Sequence, residues 1–148
     1  MSDNDSGDTA VIPWPDEQSG PGELELRIRP EPTLIRLVRL ATSGLATMAQ
    51  FDLDGIEDLK IAVDEVCSSL IEVSDGSPID LRLGRVAPGG VWIEGATNVA
   101  AGAAVDSDRV ALGDQILAVI ADRHEFTVTD GIARFRVLRF GEVNGATD

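Results

Sequence analysis

The sequence is poor in the residues on which most site chemistry is built. Its 148 residues include one cysteine, Cys67, one histidine, His124, and two tryptophans, Trp14 and Trp92. A single cysteine excludes an internal disulfide, and the absence of Cys/His clusters excludes the usual zinc sites; both point to a reducing, intracellular setting. His124 has no sequence partner for catalysis or metal binding and reads as a strand-edge residue. The two tryptophans are too isolated for a nucleic-acid stacking platform. Positive charge is scarce as well: 12 Lys and Arg stand against 26 Asp and Glu, a net charge of -14 with a pI near 4.2. Sequence-independent phosphate binding needs clustered cations, so direct nucleic-acid binding and anionic membranes are excluded as partners, whereas a basic protein suits an acidic surface. No apolar run is long enough to span a bilayer, and the Asp- and Ser-rich N-terminus has no basic region leading into a hydrophobic one. A cytoplasmic location is expected.

What the chain does have is 43% hydrophobic content, enough for one sizeable core. Residues 1–22, rich in acid, Gly, Pro and Ser, have the composition of a disordered acidic tail; residues 23–141 form the predicted domain, and 142–148 a C-terminal tail. "ELELRIR" alternates as a half-buried strand does. Pro32 to Ala49 reads as a helix with Leu34, Leu37, Val38, Ala41, Leu45 and Met48 on its core side. A second helix follows Asp54, its expected cap, with Glu57 as the capping-box acid. "PIDLRLGRV" and "GVWIEG" read as strands joined through "APGG", and "ATNVAAGAAVDSDR" as an irregular connection. A short helix is predicted from about Gly113 to Asp122, then two strands paired across Asp130-Gly131, a strong hairpin signal. The order strand, helix, helix, strand, strand, helix, strand, strand predicts an α+β two-layer sandwich, with a mixed, mostly antiparallel sheet covered by helices.

Two faces carry polar groups of interest. On the second helix, Glu65 and Ser69 fall far from the stripe of Ile56, Leu59, Val63, Val66, Cys67 and Leu70; taken alone they read as a solvated face. Cys67 lies within the stripe and reads as a small buried hydrophobe. On the first helix, Arg36, Arg39, Leu40 and Ser43 share a face turned from the core, either an ordinary solvated face or a contact patch.

The helix "LKIAVDEVCSSLI" resembles the central helix of the anti-sigma factor and serine kinase family, whose members share the Bergerat or GHKL ATPase fold with histidine kinases. The match in element order and spacing runs from about Leu24 to Phe140. The resemblance implies that Glu65 stands at the position of the general base. Ser69 stands where the family has an Asn that holds magnesium, a shorter ligand for that ion. "IEGATNV" puts Gly95, Thr97 and Val99 at the Asp and Gly positions of the adenine-binding box, so the adenine contact is missing. Gly113 in "VALGDQI" is what remains of the glycine box that cradles phosphates at a helix N-terminus. Three eroded features imply weak or absent nucleotide binding, with Mg-ATP as cofactor only where the site still functions. Arg39 matches an Arg of the surface that grips a sigma factor and its rival, the anti-anti-sigma factor. The resemblance thus implies a degenerate member that sequesters an alternative sigma factor of stress or development type and is released by an antagonist. The alternative is an active serine kinase acting on the anti-anti-sigma factor. A homodimer is expected because the family commonly forms one.

Overall fold

The computed structural model describes Trp14 and residues 22–103 and 108–142. It is an α+β sandwich of one five-stranded sheet under three helices, among the described residues. In chain order these are β1 (Leu24–Ile28), α1 (Ile35–Met48), α2 (Leu53–Val73), β2 (Ile79–Val86), β3 (Gly90–Asn98), α3 (Asp108–Ile120), β4 (Arg123–Thr129) and β5 (Ile132–Phe140). The sheet order is β1-β2-β3-β5-β4, and all four ladders are antiparallel, where a partly parallel sheet was expected. The predicted tails fall largely outside the described residues. Among the described residues no helix is long and apolar enough to cross a membrane.

Alternation divides the sheet into two faces. Leu81, Leu83, Ile93, Phe135 and Val137 face the helices and form one core with Val38, Leu45, Leu59, Val63, Val66 and Leu70. Gly95 lies under α2, where an added Cβ would fall 2.6 Å from Leu70 Cδ1. The glycine therefore sets how closely helix and sheet approach. The β4–β5 turn is the expected hairpin: Asp130 and Gly131 both have positive φ, 54° and 75°, as a type I′ turn requires.

Four local expectations are corrected. Asp52, not Asp54, caps α2, accepting a 2.8 Å hydrogen bond from the Gly55 amide, while Glu57 pairs with Lys60 at 3.0 Å. On α1 the core stripe is Ile35, Val38, Thr42, Leu45 and Ala46. Leu37 and Met48 are exposed, because the helix opens with a 3-10 turn at Pro32–Leu34 and buries Thr42, whose hydroxyl donates to Val38 O at 2.8 Å. β3 runs on through Asn98 into the stretch expected to be irregular. Finally, α3 begins at Asp108, so Gly113 lies inside the helix and not at its N-terminus.

Candidate functional site

The site is built around α2, which packs on the sheet with one side and against α1 and α3 with others. Its apolar stripe buries Leu59, Val63, Val66 and Leu70, as the periodicity predicts. Glu65 and Ser69 are buried as well, Glu65 at 8% exposure and Ser69 completely. The element that covers them is α3. The Arg109 guanidinium lies 2.9 Å from Glu65 Oε1. One turn further along, Gly113 sits over both residues: a Cβ there would fall 3.2 Å from Glu65 Oε1 and 3.5 Å from Ser69 Oγ. Ser69 Oγ is buried without a hydrogen-bond partner among the described residues. The structure therefore brings together Glu65, Ser69 and Gly113 and adds Arg109. That arginine lay in the stretch read as irregular, yet its spacing of four from Gly113 places the two on one helix face.

The interior position of Gly113 changes what it can offer. Amides inside a helix are committed to carbonyls four residues back, so they are not free to cradle an anion as the first amides of a helix are. The glycine instead permits a close crossing of α3 over α2. Arg139 fastens the other end of α3, donating to Ile120 O at 2.6 Å and pairing with Asp58 of α2 at 3.1 Å. A cation at a helix C-terminus also complements its dipole. His124 lies on β4, an edge strand, and contacts Asp114 of α3 at 2.8 Å between His124 Nε2 and Asp114 Oδ1. Both contacts tie α3 to the sheet. Of the positions that the resemblance sets against the adenine-binding box, the Thr97 hydroxyl lies within 3.3 Å of Ser74 Oγ, Ser77 O and Pro78 O, and Val99 donates its amide to Gly131 O at 2.9 Å. These two residues stitch the turns at that end of the sheet.

Glu65 has a charged neighbour on the other side of the same helix. Asp64 meets Arg39 of α1 at 3.1 Å, so two successive acids of α2 hold one arginine from each flanking helix. Burial pushes the Asp64 carboxyl above the usual carboxylate range, while Arg39, Arg109 and Lys60 pull it back. Arg109 therefore acts on both acids. Burial, with the nearby Asp64 charge adding to it, pushes the Cys67 thiol up to about 12, consistent with a packing role.

The residues of the predicted contact patch all lie on α1. Arg36 is exposed, Leu40 is 64% exposed and Ser43 is half-buried, its hydroxyl donating to Arg39 O at 2.9 Å. Arg39 borders this face while held by Asp64. Leu37 and Met48, read from the sequence as core, join the patch as exposed apolar groups, with Leu53 of α2 also exposed. Position 44 is open, since a Cβ at Gly44 would meet nothing within 4 Å.

No family model matches the chain. Among curated proteins it is similar to several called serine-protein kinase RsbW. The identity is 43% over 49 residues with that of Bacillus velezensis, covering 33% of this chain and 31% of the relative. It is 37% over 49 residues for Bacillus subtilis, with the same coverage, and 32% over 50 residues for Bacillus cereus strain AH187, covering 34% and 31%. The aligned stretch spans about a third of this chain and of each of these relatives. Over that stretch the chain is similar to serine-protein kinases.

Proposed function

We propose that the chain is an anti-sigma factor that works by sequestration, a degenerate member of the anti-sigma factor and serine kinase family on a GHKL-like fold. The observation that carries the non-catalytic reading is the seating of Arg109 and Gly113 over Glu65 and Ser69. A Mg-nucleotide does not fit these residues as they stand. The residue in the place of the base is bound to a guanidinium, the one hydroxyl offered to a metal is fully covered, and the glycine meant for phosphate has its amide inside a helix.

Sequestration requires only a stable complex, and α1 supplies a surface suited to one. Arg36, Leu37, Leu40 and Met48 combine exposed apolar area with a guanidinium, the residue type most common at interface hot spots. Arg39 and Ser43 border it. On this reading the partners are an alternative sigma factor and an antagonist that competes for the same surface, in the cytoplasm, and the chain is a homodimer.

The test is recovery of partners by the tagged full chain from native cytosol, with Arg36→Glu and Leu40→Ala as comparisons. A sigma factor or its antagonist, captured by the parent and lost with either variant, is the expected outcome. Capture of neither would sink the proposal. Arg39→Glu is a poorer probe, because it would set a third carboxylate beside Asp64 and disturb the fold along with the surface. The second reading, an active serine kinase, draws on the names of the RsbW relatives and on the presence of Glu65. Calorimetry with Mg-ATP separates the two: micromolar binding favours the kinase.

A further inference from the structure

The outer face of the sheet collects what the rest of this acidic chain lacks. Arg27, Arg82, Arg123, Arg134 and Arg136, five of the 12 Lys and Arg residues, alternate onto it from β1, β2, β4 and β5, against the acids Glu25, Asp80, Glu94 and Glu125. The face is therefore close to neutral where the chain as a whole is strongly acidic, with Asp80 holding Arg27 at 2.7 Å and Glu125 3.8 Å from Arg136. Glu94, buried on β3, lies among them, with Arg82 Nε at 3.0 Å, Arg134 Nε at 3.4 Å and Arg136 Nε at 3.5 Å. Beside this charge lies an apolar bed. The Trp92 indole covers its cross-strand neighbour Gly84, where an added Cβ would come within 2.7 Å of the Trp92 ring nitrogen. Trp14 packs on Trp92 and Leu138 and is only 4% exposed. The guanidinium carbons of Arg123 and Arg136 lie 4.5 and 5.3 Å from the Trp14 ring centroid, within cation–π range.

A second contact comes from further along the chain. A Cβ at Gly22 would fall 2.7 Å from Leu83 O and 3.2 Å from Trp92 Cη2. The chain thus touches this bed at residue 14 and again at residue 22. Charge agrees with contact: residues 1–22 contain Asp3, Asp5, Asp8, Asp16 and Glu17 and no Lys or Arg. We propose that the outer face of the sheet is an interaction surface whose occupant is the chain's own acidic N-terminal segment, anchored by Trp14 against Arg123, Arg136 and Trp92. Covalent connection gives the segment a high effective concentration, so a modest contact suffices to keep the face covered. The proposal is independent of the anti-sigma reading.

The test uses the full chain with Trp92→Phe, which keeps an aromatic ring over Gly84 and leaves Trp14 as the sole indole. Its fluorescence is followed during acrylamide quenching over a hundredfold range of protein concentration. The expected result is blue-shifted emission and quenching several-fold weaker than in urea, unchanged on dilution. Adding Arg123→Gln and Arg136→Gln should at least double the quenching. Quenching as efficient as in urea overturns the proposal. Protection lost on dilution overturns it too, by assigning the occupant to a second copy. Hydrogen exchange of the Trp14 indole N–H in the unaltered chain, with its signal identified by loss in Trp14→Phe, repeats the test without touching Trp92. Slowed, concentration-independent exchange supports the proposal and free exchange overturns it.

Discussion

Replacing Arg109 by alanine asks whether α3 is seated on α2 by charge. Glu65 is 8% exposed and its Oε1 lies 2.9 Å from the Arg109 guanidinium. Removing one member of a buried pair costs about 3–5 kcal/mol, because the remaining charge is left without a partner. The Arg109 side chain is 28% exposed, so water enters the vacated space and screens what remains; the cost falls to about 2 kcal/mol. For a chain of this length that lowers the melting temperature by roughly 4–8 °C. Removing both charges while keeping bulk, as Glu65→Gln with Arg109→Met, should come within about 1 kcal/mol of the parent. The double-mutant cycle should therefore give a coupling of at least about 1 kcal/mol. Urea titration followed by circular dichroism measures the four proteins of the Glu65→Gln and Arg109→Met cycle, with Arg109→Ala as a fifth. An Arg109→Ala loss below about 0.5 kcal/mol, or additive single substitutions, would refute the idea that this pair holds the helices together.

Three other outcomes follow from the same structure. Cys67, buried with its thiol pushed up to about 12, should resist a thiol reagent at pH 8 in the native state and react at a rate set by unfolding; fast native labelling would contradict its packing role. The Arg85 guanidinium and amide hold the Glu23 carboxyl down to about 2 from 4.5, so the pair's contribution is present above pH 4.5 and lost as pH falls towards 2. Glu23→Gln should flatten the acid limb slightly in that window, because both side chains are exposed and screened by water; an unchanged limb argues against the pairing. Ser69→Asn should destabilise the fold by about 1–3 kcal/mol through overpacking against α3, whereas an unaltered melting temperature with gained Mg-ATP binding would mean that α3 leaves α2 readily.

Most of the fold was legible because periodicity reports burial on one side of an element. The α2 stripe, the β2–β3 hairpin and the Asp130-Gly131 turn are all as the pattern predicts. The misreadings occur where a second layer alters that rule. Glu65 and Ser69 look solvent-facing from α2 alone and are buried because α3 crosses them. Thr42 is polar by type but bonds back to its own helix at Val38 O, which lets it enter the core and turns Leu37 and Met48 outward. Trp14 carried no periodic signal, since its seat is made by residues on β3, β4 and β5. Arg109 was hidden for a different reason: a Gly- and Ala-rich stretch before it obscured where α3 begins.

The Ser69 position has a second meaning once α3 is in place. On the proposed reading, Ser69 stands where the resembled family has an asparagine that holds metal. Beneath Gly113 it is a fit, because the helices approach until a Cβ at 113 would lie only 3.5 Å from Ser69 Oγ, leaving little room for a longer amide. The small residues on the two helices therefore support each other, and Arg109 balances the acid that the closure buries. The consequence reaches α1. On the proposed reading, Arg36, Leu37, Leu40 and Met48, all exposed on α1, are the groups that meet a protein partner. On the proposed reading, an antagonist then acts by competing for α1 and not by drawing a phosphoryl group from a site that α3 has closed. Release would follow the relative affinities and concentrations of the two partners, independent of nucleotide.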